Sequence, residues 1–231
     1  MKPSSIPEGS RSIRFAGEEL ILLPDRAGLW PARNALMLSD VHFGKSATFR
    51  AHGIPVPEGE SQADLDRITN LVERHGVEHL AIIGDFYHSG ITLSPALHDS
   101  LASFRDSLDA EIILVRGNHD KSRHGLLPMV DRLDWSPIEL VHDPADASPE
   151  QPTISGHLHP LCRIGRAGRA SRLPCFLLTE TLLVLPAFGT FTAGQIVKAK
   201  AGQTLHPIAK ETVFEYPPSP GASPHITRPV V

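Results

Sequence analysis

The sequence predicts an α/β protein: a sheet covered by helices, followed by a second, more antiparallel sheet. Three observations predict it. Apolar runs alternate with two amphipathic helical stretches as far as Asp120, the runs end in turn-forming polar motifs, and short strand-like runs dominate afterwards.

In chain order, "SIRF" and "EELILLP" read as strands, "DRAG" as a turn, and "ALMLSD" as a further strand that ends at Asp40 and His42. From Glu58 to His75, Leu65, Ile68, Leu71 and Val72 share one helical face, and Gly76 supplies a C-terminal stop. The buried run "HLAIIGD" follows. Ser94 and Pro95 form an N-cap and a first helical residue, after which Leu97, Leu101, Phe104 and Leu108 continue an apolar stripe. "EIILVRGNHD" closes the alternating half. Beyond residue 130, "IELVHD", "TISGHLH", "CFLLTETLLVLP" and "QIVKAK" are strand-like with little helical pattern between them, while "HDPADASPEQP" is a loop by composition. One domain is expected over 1–216, and 217–231, with five prolines, is expected to be a mobile tail.

Composition narrows the function classes. Hydrophobic residues make up 41% and charged residues 21%, and no run is long enough to span a bilayer, which describes an ordinary globular protein without membrane association. The N-terminal stretch has no apolar segment of the secretory kind, so a cytoplasmic location is expected. Two cysteines, Cys162 and Cys175, fit a reducing compartment and read as unpaired core thiols. A formal net charge of −4 excludes a global basic field, so any nucleic-acid contact must be local. Thirteen histidines, several beside Asp, Asn or Gly at the ends of apolar runs, direct attention to metal binding.

Five motifs carry that reading: "SDVH" with Asp40 and His42, "GDFYH" with Asp85 and His88, "GNHD" with Asn118, His119 and Asp120, "VHD" with His142, and "GHLH" with His157 and His159. Singly, each has an ordinary explanation as a solvated turn, a helix cap, an Asx turn or a surface histidine. Together, each after a strand-like run, they describe loops converging at the carboxyl ends of a sheet. Asp40 and Asp85 would be like charges in a partly dry cleft, which cations would neutralise. Carboxylate, amide oxygen and imidazole suit Mn, Fe or Zn without a thiolate, and seven such groups exceed the needs of one tetrahedral ion.

The ordered set DxH, GDxxH, GNHD, His, GHxH, spanning residues 40 to 159, resembles the calcineurin-like metallophosphoesterases. The stretches "LWPARNALMLSDVHFGKSATFRAHGIPVPEG", "ISGHLHP", "RLPCFLL" and "LVLPAFGTFTAG" are similar to its DNA-ligase-associated subgroup, through Gly194. The resemblance implies a two-sheet β-sandwich flanked by helices, a four-layer αββα arrangement. It implies two divalent ions, manganese first with iron or zinc as alternatives: Asp40, His42 and His159 hold one, Asn118, His142 and His157 the other, and Asp85 bridges them. It implies in-line attack of water on phosphorus with His119 acting near the leaving oxygen. For the subgroup it implies a nuclease that works on DNA with a ligase, a helicase and an exonuclease.

One departure is informative. Protein phosphatases of the superfamily end the second motif in Asp followed by a phosphate-binding Arg, whereas this chain has His88 and Ser89, which argues against a phosphoprotein substrate. What orients His119 is left to Asp120 or a water. Substrate contacts are expected from Asn118, His88, Lys45 and Arg50, and from Arg163 and Arg166 in "RIGRAGRASR", where Arg169 and Arg172 continue the spacing. The same basic run could equally be a solvated hairpin edge. Phe43, Phe49, Phe86 and Tyr87 adjoin the motifs, and at 6% aromatic content core packing is the expected role for at least half of them. Two rival readings stand beside the nuclease: a phosphodiesterase or phosphomonoesterase of nucleotide-sized substrates, and a non-catalytic metal-bound adaptor in a repair complex.

Overall fold

The computed structural model describes residues 6–51, 53–55, 59–88, 94–120, 126–165, 169–190 and 192–216, the side chains of Ala47 and Ala51 excepted. The expected tail, 217–231, lies outside the described residues, as do Ser89 and Arg166.

Two sheets stack face to face. The first runs in chain order through β1 (Arg11–Phe15), β2 (Glu18–Leu22), β3 (Gly28–Trp30), β4 (Ala35–Leu38), β5 (His79–Ile83), β6 (Glu111–Val115) and β7 (Met129–Val130). Its opening strands form an antiparallel meander, and from β4 onward the pairing is parallel. The parallel strands need crossovers, supplied by α1 (Lys45–Ala51) and α2 (Glu60–His75) between β4 and β5, and by α3 (Pro95–Ser107) between β5 and β6.

Both longer helices form where the apolar spacing placed them. Leu65, Ile68, Leu71 and Val72 of α2 are buried, and Gly76 caps the helix in the left-handed region at φ 57°. In α3 the Ser94 hydroxyl accepts the Leu97 N–H at 3.3 Å, Pro95 takes the first turn, and Leu101 and Phe104 turn inward.

The second sheet comprises β8 (Leu133–Trp135), β9 (Ile138–Leu140), β10 (Thr153–Ser155), β11 (Pro160–Ile164), β12 (Ser171–Leu178), β13 (Leu182–Val184), β14 (Gln195–Val197), β15 (Thr204–Ala209) and β16 (Thr212–Val213). It is mixed rather than purely antiparallel, since β10 runs parallel to both β9 and β13, and β11 to β14. "CFLLTETLLVLP" divides into β12 and β13 because the Thr179 hydroxyl accepts the N–H groups of Thr181 and Leu182, closing a tight turn.

Strand alternation distributes the core. On β4, Leu36 and Leu38 face α2 and α3, while Met37 faces the second sheet with Ala81, Ile83 and Val115. Ile138, Leu140, Ile154, Phe176 and Leu183 meet them from the other side. The result is the expected two-sheet sandwich flanked by helices. Among the described residues the helices belong to the first sheet, and the far face of the second carries a smaller cluster of Cys162, Cys175, Leu177, Val184 and Leu205. Both cysteines are buried and unpaired as expected. No helix among the described residues is long and apolar enough to cross a membrane.

Candidate metal centre

Every motif sits just past a strand, and all five meet at one edge of the sandwich. Ser39 through Phe43 follow β4, Gly84 through His88 follow β5, Gly117 through Asp120 follow β6, His142 follows β9 and Gly156 through His159 follow β10. Backbone bonds lace the loops together: Asp40 N–H donates to Gly84 O at 3.1 Å, His42 N–H to Asp85 O at 2.9 Å and Gly156 N–H to His142 O at 3.0 Å.

The backbone there is strained. Asp40, His42, Asp85, His157 and His159 all have positive φ, between 44° and 68°. That region costs an L-residue about 1–2 kcal/mol, and it is kept where the surroundings impose it for function. The glycines leave room for the same approach. A Cβ on Gly84 would lie 2.0 Å from His142 Nδ1, and one on Gly156 would lie 2.6 Å from Asp40 Oδ2.

Two groups of side chains result, each able to hold an ion. Asp40, His42 and His159 converge in one, and Asp85, His142 and His157 in the other, with the Asn118 amide oxygen 3.0 Å from His142 Nε2. Asp40 Oδ1 is 3.2 Å from His159 Nε2, and Asp85 Oδ2 is 3.5 Å from His142 Nε2.

The donor set fits a cation by a proton argument. His142 Nδ1 lies 3.2 Å from Ile83 O, and His159 Nδ1 lies 2.8 Å from Ala193 O; each must donate there, leaving its Nε2 lone pair directed inward. The inward lone pair of His159 then meets His42 Nε2 at 3.4 Å, and that of His142 meets oxygens of Asn118 and Asp85. Converging nitrogen and oxygen atoms of this kind form a donor set that a divalent cation can occupy.

The two carboxylates dominate the electrostatics of the site, and a proton on these rings competes with a cation for the inward nitrogens. Burial would lower His142 and His159, yet Asp85 and Asp40 outweigh it and raise both pKa values. Burial would likewise raise Asp85, but bonding and charge from His142 and His119 hold it down at about 2. His42, in contrast, is pushed to about 3, chiefly by burial, so its imidazole is neutral and available as a ligand.

His119 occupies the mouth of the site. Its backbone N–H donates to Asp85 Oδ1 at 2.8 Å, its Nε2 lies 3.8 Å from Asp85 Oδ2, and its side chain is 31% exposed. Asp120, which sequence reasoning left open as its orienting partner, instead accepts the N–H groups of Tyr87 and Gly117, both at 2.9 Å. It therefore ties the second motif to the third. His88 stands closer to the centre than its sequence role implied, grouping with His42 and His119 in a third cluster of imidazoles.

The remaining expected contacts separate. Lys45 stands near His42 and His88, its pKa lowered by burial, with its ammonium 5.8 Å from the Phe49 ring. Arg50 lies in the last turn of α1. Arg163 is exposed on β11, directly opposite Arg172 on β12. Of the aromatic residues beside the motifs, Phe43, Phe86 and Tyr87 are buried in the main core. Sequence reasoning missed Ile83 and Ala193, whose carbonyls carry no side-chain signal, and Asp143, whose Oδ2 lies 3.6 Å from His157 Nε2 and which adjoins His142 in "VHD".

Comparison with known families matches residues 34–170 to the calcineurin-like phosphoesterases. Among solved structures, the chain is similar to the nuclease MPE of Pseudomonas putida, at 33% identity over 89% of this chain and 99% of that one, with a TM-score of 0.74. Weaker likenesses extend to a protein of unknown function from Aquifex aeolicus, at 20% identity over 58% of this chain and 81% of that one, with a TM-score of 0.38. Another is to the phosphoesterase Yfce from E. coli, at 17% identity over 74% of this chain and 86% of that one, with a TM-score of 0.40. Comparison with curated proteins gives no match.

Proposed function

Because the chain belongs to the calcineurin-like phosphoesterase family and is thereby a metal-dependent hydrolase of phosphoester bonds, we propose that its substrate is a phosphodiester in DNA. The observation that carries this reading is the paired ligand cluster of Asp40, His42 and His159 beside Asp85, His142 and His157. The 33% identity to a bacterial nuclease over nearly the whole chain supports the choice of substrate. The resemblance to the DNA-ligase-associated subgroup supports a place in DNA repair beside a ligase, a helicase and an exonuclease.

In this reading Asp40, His42 and His159 hold one divalent ion, Asn118, His142 and His157 the other, and Asp85 serves both; manganese suits the oxygen and imidazole donors. Two such ions supply Lewis-acid polarisation of the phosphoryl oxygens and a lowered pKa for the attacking water. The protein supplies the rest. Ile83 and Ala193 fix the tautomers of His142 and His159, so both rings present lone pairs inward. His119, half-open to solvent above Asp85, donates a proton or a hydrogen bond to the leaving oxygen. His88 flanks it, and His88 with the neighbouring Lys45 binds the non-bridging oxygens of the substrate phosphate.

The formal net charge of −4 favours a second reading, a nucleotide-sized phosphodiester or phosphomonoester as substrate. Assay of bis-p-nitrophenyl phosphate, p-nitrophenyl phosphate, cyclic nucleotides and DNA under one manganese condition separates the two. Cleavage of DNA and of the diester is the expected result. A metal-loaded preparation that cleaves cyclic nucleotides or the monoester but leaves DNA intact selects the second reading.

A further inference from the structure

Beside His159 a groove of about 220 Å³ runs along the second sheet, lined by Arg26, His159, Leu161, Arg172, Pro174 and Thr192 among others, and no carboxylate is among its described lining residues. Its charge is arranged in an unusual way. β11 and β12 pair Leu161 with Pro174 and Arg163 with Arg172, so these four residues share one face of the sheet, with Arg163 just beyond the groove lining and two arginines in directly opposite register. Like charges in that register destabilise a sheet, and an anion between them relieves the repulsion.

Arg26 adds a second, independent cost. It sits at φ 66° in the turn closed by the Leu23 N–H to Ala27 O bond of 2.8 Å, a conformation that a long side chain adopts only under constraint. Its guanidinium reaches the carbonyls of Ala187 and Gly189 at 3.5 and 3.4 Å, and burial, then repulsion from Arg67, outweigh the attraction of Asp64 and lower its pKa. Those carbonyls belong to the loop that also bonds to the first motif, through Phe188 N–H to Ser39 O at 2.8 Å and Gly189 N–H to Asp40 O at 3.1 Å. The groove wall is therefore hydrogen-bonded directly to the loop that carries Asp40.

The geometry points to a subsite for a second backbone phosphate: we propose that a polynucleotide strand with its scissile phosphate at the metal centre lays the neighbouring phosphates along this groove, against Arg26 and Arg172, with Arg163 at the outer edge. This rests on the nuclease reading. Arg163 stands three residues beyond Pro160, about 10 Å at strand rise. A lone phosphate at His159 does not span that distance, whereas a chain of phosphates does. Bidentate guanidinium contacts would position the strand without reading its sequence.

The test uses the full-length protein and its R172E and R163E variants, both altered at exposed strand positions. kcat/KM is measured for a single-stranded oligonucleotide and for bis-p-nitrophenyl phosphate, which carries one phosphate, and the ratio of the two is compared. R172E should lower that ratio by about tenfold or more, and R163E should move it in the same direction. Ratios unchanged from the unsubstituted protein in both variants overturn the proposal. Binding of a fluorescent oligonucleotide across a salt series gives a second readout, in which each variant should reduce the salt slope by about 0.7 or more. If the unsubstituted protein hydrolyses the small diester and never the oligonucleotide, the nuclease reading fails, and the binding series alone decides the groove. A shallower slope in R172E upholds a polyanion site there, and an unchanged slope contradicts it.

Discussion

The Nε2 atoms of His42 and His159 face each other across 3.4 Å, from loops 117 residues apart in sequence. His159 directs a lone pair into that gap because its Nδ1 donates to Ala193 O, and burial keeps His42 neutral. A divalent cation shared with Asp40 would draw both Nε2 lone pairs to itself. Metal should therefore stabilise the fold as well as activate it. Saturating manganese at about 100 times Kd contributes about 2.7 kcal/mol for each ion site, which raises Tm by about 5–10 °C per site in a chain of this size over the chelator-stripped protein. Thermal melts with and without chelator check it, and identical melting curves would count against the cluster as an ion site.

Gly156 lets the loop after β10 pack directly against the first motif. A Cβ there would lie 2.6 Å from Asp40 Oδ2 and 2.7 Å from Ser39 Cβ, so Gly156→Ala must displace a ligand. A stability loss of about 1–3 kcal/mol is expected from the overpacking. Metal content should fall with it. Denaturant unfolding and elemental analysis of the same preparation read both effects.

Asp120 is fully buried and bridges two motif loops by accepting the N–H groups of Tyr87 and Gly117. Asp120→Ala strands two buried donors at a cost of about 1–3 kcal/mol each. It also frees the loop that carries Asn118 and His119. Asp120→Asn keeps one acceptor oxygen and should lose less. The order of stability, unsubstituted above Asn above Ala, is measurable by urea titration, and a reversed order contradicts the bridging role.

His206 offers a pH test remote from the ions. It is buried on β15, with no hydrogen-bond partner for either ring nitrogen among the described residues. Burial first, then Arg11, lowers its pKa to about 4 against a small opposing pull from Glu215. The unfolded chain, with a pKa near 6.5, binds the proton that the folded chain refuses between about pH 6.5 and pH 4. Stability thus falls as pH drops through that window, at up to about 1.4 kcal/mol per pH unit. Comparing unfolding free energies at both ends of the window should show a smaller loss in His206→Phe than in the unsubstituted chain. Equal losses would remove His206 from the account.

Much of this was legible in the residues, for physical reasons that differ by element. α2 and α3 announced themselves because a 3.6-residue apolar period and a cap coincide at Leu65 to Val72 with Gly76, and at Ser94 with Leu97 to Phe104. α1 carries only seven residues and no such pattern. β15 holds Pro207, which lowers its strand signal, yet Pro207 lies opposite Cys175 at the end of the pairing with β12, where a missing donor is tolerated. At the site, the side-chain types and their order could be read, because chemistry restricts them to Asp, Asn and His. The carbonyls of Ile83 and Ala193 could not, since any residue provides one, and the groove beside His159 depends on a strand register that no local pattern encodes.

His119 and Asp85 divide chemistry from metal retention. His119→Ala should lower kcat by about 10²–10⁴ with the ions retained, because the ring sits at the mouth of the site. Asp85→Asn should lose both turnover and metal, since Asp85 grouped with His142 and His157 anchors one ion position. Unaltered turnover in both variants would overturn the mechanism.

The central claim, two ions in one cluster, is tested most directly by elemental analysis of the purified full-length protein after manganese loading and removal of free metal. The account predicts two manganese ions per chain, falling to one or fewer in Asp85→Asn. One ion or none in the unsubstituted protein, or an unchanged content in the variant, would contradict it.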